Sequence, residues 1–95
     1  MNGPTVSGGQ QLLVLYPRQL QDAEQIIDAV RELQAVVVHT RHATDGEAQR
    51  LIDFACGGMA GLEGQVHRID AETFLFAPGH TEVRMDSTGD QLPGG

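Results

Sequence analysis

The stretch EAQRLIDFACGGMAGLEG, Glu47 to Gly64, begins with helical spacing and then carries glycines at 57, 58, 61 and 64. Each glycine inside a helix costs roughly 1 kcal/mol relative to alanine. On a wheel of about 100° per residue, Ala48, Leu51, Ile52, Ala55, Met59 and Leu62 gather within about one third of the circumference, an apolar stripe suited to packing on a sheet. Gly57 and Gly61 avoid that stripe and line up with Arg50 and Phe54, while Glu47 and Gly58 fall between the two faces. Glycines four apart on one helix face let a second backbone come close, so a helix-to-helix contact would account for them. The alternative is an early stop, with Gly57 as a left-handed cap and GMAGLEG as loop. Met59 and Leu62 continue the stripe and favour a helix to residue 62. A phosphate-binding loop fits poorly, because the glycines follow a helix rather than a strand and the chain has no lysine.

Upstream, Thr44-Asp45-Gly46-Glu47 has the capping-box pattern and sets the helix start near 45. Before it, AVVVHT (35–40) is β-branched and too short for a helix, which makes it an interior strand. In QLQDAEQIIDAVREL the residues Leu20, Ala23, Ile26, Ile27, Val30 and Leu33 form one stripe, giving an amphipathic helix over 19–33. QLLVLY (11–16), stopped by Pro17, reads as a further buried strand. Downstream, QVHRI (65–69), TFLFA (73–77) and TEVRM (81–85) are separated by loops of hairpin length and are expected to be three antiparallel strands in sequence. The expected fold is a compact two-layer α/β sandwich of order β-α-β-α-β-β-β, two helices packed on one sheet. Residues 1–10 and 87–95 read as flexible linker or tail around a domain at 11–86.

Ninety-five residues make one domain with a thin core, and a partner subunit would help to complete it. A homodimer is therefore expected. Thirteen acidic residues stand against six basic ones, all arginine, for a net charge of −7, which disfavours nucleic acid and direct binding to anionic lipid. No apolar run approaches the roughly 18 residues of a membrane span, and the single Cys56 forms no internal disulfide. The cytoplasm is the expected compartment.

His39, His42, Cys56, His67 and His80 invite a metal hypothesis, but no CxxC or HExxH spacing is present, so neither metal nor cofactor is expected. The acids are scattered over helix faces and turns, and no serine or cysteine has a base partner by motif. The chain does not read as an enzyme. Phe54 has two readings, as an edge of the core stripe or as the floor of a groove for an apolar anchor. Phe74 and Phe76 share strand parity and belong to a sheet face.

Several collinear features carry a family resemblance: AVVV, AQRLIDF followed by Gly57, then Gly64 and FLFAP, with Tyr16, Pro17, Ala23 and Ile26 opening the domain. Between about Leu13 and Val83 the chain resembles the C-terminal domain of SepF, a division factor. The resemblance implies a dimeric α/β sandwich that binds the C-terminal tail of the tubulin-like protein FtsZ and helps align or tether its filaments at the septum. It implies a subunit contact along the Asp53-Phe54-x2-Gly57 helix. The helical wheel then sets Phe54 and Arg50 or Gln49 beside that tail, with Gly57 and Gly61 at the dimer or helix–helix contact. His39 stands where the family usually has asparagine, and Gly58-Met59-Ala60-Gly61 replaces a bulkier run. Residues 1–10 look like the end of the family's linker, so membrane contact is expected only through an N-terminal helix absent from this chain. The competing reading is a small dimeric regulatory domain that binds a metabolite between subunits, against which the scarcity of cationic residues argues.

Overall fold

The computed structural model describes residues 4–6 and 12–85. Strand β1 is Pro4–Val6, β2 Leu12–Leu15 and β3 Ala35–His39. A 3-10 turn at Leu20–Asp22 leads into α1, Ala23–Arg31, and α2 runs from Asp45 to Leu62. The closing strands are β4 Gln65–Asp70, β5 Thr73–Ala77 and β6 Val83–Met85. The main sheet has the order β2-β3-β5-β4, with β2 and β3 parallel and the other pairs antiparallel. Both helices pack on one face of it, as the α/β sandwich reading requires.

The core follows from the two periodicities. Ala23, Ile26, Ala29 and Val30 of α1 and Leu51, Ala55 and Met59 of α2 bury against Val36, Val38 and Phe76 of the sheet. The alternate strand positions Ala35, Val37, Leu75 and Ala77 point to the other face, where Ile69 and Val83 pack against them. Phe76 is fully buried and Phe74 is partly so.

Caps explain where the helices begin and end. Asp22 Oδ2 accepts from the backbone N–H groups of Arg18 (2.9 Å) and Gln19 (3.2 Å), which tightens the entry to α1 into a 3-10 turn. At its other end Leu33 takes φ 68°, with Leu33 N–H donating to Val30 O and Gln34 N–H to Ala29 O, a Schellman arrangement that stops the helix short of residue 33. Thr44 caps α2 as the sequence indicates, its hydroxyl accepting from Glu47 N–H at 3.2 Å. Glu47 does not complete the box. Its carboxylate accepts instead from Leu20 N–H at 3.0 Å, tying the start of α2 to an amide left free at the start of the first helical segment.

The one-sheet meander of 65–69, 73–77 and 81–85 needs correction. β5 lies between β3 and β4, so neither of its edges is open to β6. The third strand instead leaves the main sheet and pairs antiparallel with β1, Thr5 opposite Arg84, within the stretch read as linker. The loop between β5 and β6 is held by Gln65, whose Nε2 donates to the carbonyls of Pro78 (3.0 Å) and Thr81 (2.6 Å). At Gly79 an added Cβ would collide with the backbone carbonyl of Glu63, itself in the left-handed region at φ 56°. A backbone oxygen cannot swing aside as a side-chain end can. Gly79→Ala is therefore expected to cost about 1–3 kcal/mol, whereas Gly46→Ala, with open space around the added methyl, should be neutral or slightly stabilising. Thermal melts of the two variants check this; equal midpoints would show that the loop relaxes freely.

Candidate functional site

The glycine-bearing half of α2 remains helical to Leu62, so the early stop at Gly57 does not occur. A Schellman closure ends the helix five residues further on, with Glu63 N–H donating to Ala60 O and Gly64 N–H to Met59 O. The three inner glycines then divide by environment. A Cβ on Gly58 would lie 2.6 Å from Ile27 Cδ1 and 2.7 Å from Cγ1, so Gly58 serves the close approach of α1 to α2 within the chain. Around Gly57 and Gly61 an added Cβ would meet nothing within 4 Å. Their missing side chains answer to no neighbour among the described residues.

What those glycines leave is a groove of about 600 Å3 between the helices. Ile27, Phe54 and Leu62 give it an apolar lining, Gly57, Gly58 and Gly61 keep it open, and Arg31 and Asp53 stand at its rim. The Arg31 guanidinium is paired with Asp28 at 2.8 Å, with both side chains well exposed. Phe54 is 50% exposed and is not part of the buried core. Such a ring on a helix flank is surface of the kind that anchors binding partners.

The structure brings together only some of the residues singled out from sequence. Phe54, Gly57 and Gly61 line the one groove. Arg50 is exposed on the same flank one turn earlier and does not line the groove. Gln49 lies on the other side of the helix, in a second groove of about 340 Å3 that it shares with Arg68, Glu72 and Phe74. Gln49 Nε2 donates to Asp53 Oδ1 at 3.0 Å, a bridge across the ridge between the grooves.

Two features escaped sequence reading because they depend on strand register. Arg68 sits opposite Phe74 in the β4–β5 ladder, and its guanidinium lies 5.7 Å from that ring's centre. At the ends of the parallel β2 and β3, Tyr16 stacks on His39 at 4.9 Å, with His42 at 5.6 Å and Arg41 at 5.7 Å from the same ring. The signal was present in the parallel alignment of LLVLY with AVVVH, but only once the two strands were known to be neighbours.

Two titratable groups are displaced from their ordinary range, Cys56 on α2 and Asp70 at the end of β4. Burial, reinforced by the charge of Asp53, pushes the Cys56 thiol up, which disfavours the thiolate a nucleophile or metal ligand needs. The Asp70 carboxyl is held below its usual range first by the N–H of Glu72, then by the Thr73 hydroxyl, as befits a turn residue. Among the described residues no three of His, Cys, Asp and Glu converge on a common metal position. None of the described helices is long and apolar enough to cross a membrane.

Fold and surface together define a small two-layer α/β domain whose most prominent feature is an exposed, glycine-smoothed helix flank. The family model described as cell division protein SepF matches residues 13–83, and the chain belongs to that family. A cell division protein SepF of Clavibacter michiganensis subsp. michiganensis is 38% identical over 81 residues, covering 85% of this chain and 49% of that protein. The protein of the same description from Trichormus variabilis is 37% identical over 78 residues, 82% of this chain and 39% of the relative. That from Cutibacterium acnes is 29% identical over 92 residues, 97% of this chain and 54% of its own length. The chain thus spans about half the length, or less, of these curated relatives.

Proposed function

We propose that this domain is a non-enzymatic adaptor of cell division that works in the cytoplasm at the division site. It pairs with a second copy through the flank of α2 that carries Gly57 and Gly61, and it holds the C-terminal tail of FtsZ beside Phe54, Arg50 and Gln49. Family membership supports the division role. The observation that carries the rest is the state of the α2 flank: a half-exposed phenylalanine beside two glycines whose bare backbone no neighbour among the described residues requires.

The two tasks can share one helix because they occupy different lengths of it. At about 1.5 Å per residue the 18 residues of α2 extend roughly 27 Å. Gly57 and Gly61 belong to its C-terminal half, Gln49 and Arg50 to its N-terminal half, and Phe54 stands between. A second α2 packed on the glycines would leave the first turns of each helix open to a peptide. Two such sites facing a polymer that displays many tails gain by avidity what one site lacks.

Calorimetry with a synthetic FtsZ tail peptide tests the partner. The folded domain should bind with a Kd on the order of micromolar, since a short peptide loses freedom on binding. No binding by a folded, dimeric domain would contradict the adaptor reading and turn attention to a metabolite as ligand. Gly57→Lys tests the contact separately. With open space around residue 57 the lysine should leave the circular dichroism spectrum intact while it weakens self-association roughly tenfold or more, by holding the helices apart. An unchanged mass in sedimentation equilibrium across a dilution series would move the contact off this flank.

A further inference from the structure

The second groove, between the first half of α2 and the β4–β5 hairpin, carries a guanidinium that the fold orients and leaves without an anion. Arg68 lies 5.7 Å from the centre of the Phe74 ring, and its Nε donates to Asp70 O at 3.3 Å. These two contacts set the plane of the group and occupy one of its five N–H donors. The nearest carboxylate in sequence is already engaged, since Asp70 accepts from Glu72 N–H at 2.8 Å and from the Thr73 hydroxyl. Among the described residues no acid pairs with Arg68, although acids outnumber bases by thirteen to six in the whole chain.

The groove is also polarised along its length. Thr40 N–H and the Thr40 hydroxyl both donate to Glu72 O, at 2.8 and 3.2 Å, which sets Glu72 at the end where α2 begins with Asp45. Phe74, Arg68 opposite it and Ile52, two turns into α2, make the other end. Two acids therefore stand at one end and an arginine over an apolar floor at the other.

We propose that Arg68 is the residue that reads the charge of the bound tail, holding one of its carboxylates in two parallel N–H···O bonds from the free Nη1 and Nη2 fork, with the adjoining carbons on Phe74 and Ile52. The inference rests on the tail-binding reading and adds a contact on the far side of α2 from Phe54. Between the two contacts the peptide crosses the ridge where Gln49 bonds Asp53 at 3.0 Å. A helix with its side chains is about 10–12 Å across, which three or four residues of extended chain span. Asp45 and Glu72 repel a tail laid the other way round with its carboxylate at their end, so the groove gives the tail one direction.

Calorimetry with tail peptides in which each carboxylate in turn is replaced by its amide, against wild type and Arg68→Gln, reads the contact directly. One amide peptide should bind wild type roughly tenfold more weakly than the parent peptide. Arg68→Gln should lose a similar factor with the parent peptide and nothing further with that amide peptide, because the two changes remove the same interaction. Arg68→Lys, which keeps the charge without the planar fork, should recover only part of the loss. Arg68 is exposed, so all of these variants should melt with wild type. Parent-peptide affinity unchanged in Arg68→Gln, or losses that add for every amide peptide, would overturn the proposal and leave the tail-binding reading standing. Absence of binding by the folded wild type would overturn both.

Discussion

Phe76→Ala is expected to lose most of the folded population at 37 °C. The ring is fully buried near the end of β5, opposite Val36 of β3 on one side and Val66 of β4 on the other. It belongs to the same cluster as Ile26 and Val30 of α1 and Leu51, Ala55 and Met59 of α2, so its removal opens a cavity where all three components of the sandwich meet. Phenylalanine-to-alanine changes in such positions cost about 3–5 kcal/mol. Domains of this class hold about 5–15 kcal/mol in total, and small ones sit near the lower limit. With about 4–8 °C of melting temperature per kcal/mol in domains of 60–100 residues, the midpoint should fall by roughly 12 °C or more. Phe74→Ala, on a partly buried ring 6.5 Å away, should cost visibly less. Thermal unfolding followed by circular dichroism decides; a Phe76→Ala midpoint within a few degrees of wild type would mean that the core is organised around other residues.

Phe54→Ala is expected to separate binding from folding. Half of its surface is already in water and it lies outside the buried cluster, so its loss should leave stability within about 1 kcal/mol. If the ring is the apolar anchor for the FtsZ tail, its truncation should cost about 2 kcal/mol or more of binding, a factor of roughly 30. Arg50→Glu, one turn earlier and exposed, replaces a donor-only guanidinium with an acceptor-only carboxylate. It should weaken binding by a similar factor, while the melting temperature holds. Calorimetry on both variants, each first shown to be folded and of wild-type mass, provides the reading. Unchanged affinity in both would remove this flank from the binding account.

The two-layer class was legible because periodicity reports burial and burial is what the layers share. α1 and α2 carried 3.6-residue stripes, β3 a β-branched run, and Thr44 a cap, and each element forms, although α1 ends at Arg31 with Leu33 left exposed and Glu47 does not close the capping box. The helix boundary at Gly57 was open in the sequence because glycine both caps helices and admits close neighbours. The outcome at Gly58 turns on Ile27, a residue 31 positions earlier that no local pattern connects to it. The misplacement of the last strand has the same origin. Hairpin-length loops suggest that sequential strands are neighbours, but the position of β6 was decided by β3 occupying the remaining side of β5, a contact distant in sequence. The site was half legible for a related reason. The helical wheel grouped Phe54, Gly57 and Gly61 correctly on one side, but it could not show that Gln49 opens toward Arg68 and Phe74, because those residues enter from another layer.

A peptide held on α2 should disturb the amides of that helix before those of any other element. Amide chemical shifts of the 15N-labelled domain, followed while the unlabelled FtsZ tail peptide is added, test it residue by residue. The expected result is saturable shifts centred on Gln49, Arg50 and Phe54, extending toward Gly57, with Leu12, Val14 and the Tyr16 cluster unmoved. Shifts confined to the open face of the sheet, or no shifts at a peptide excess of many times the expected Kd, would contradict it.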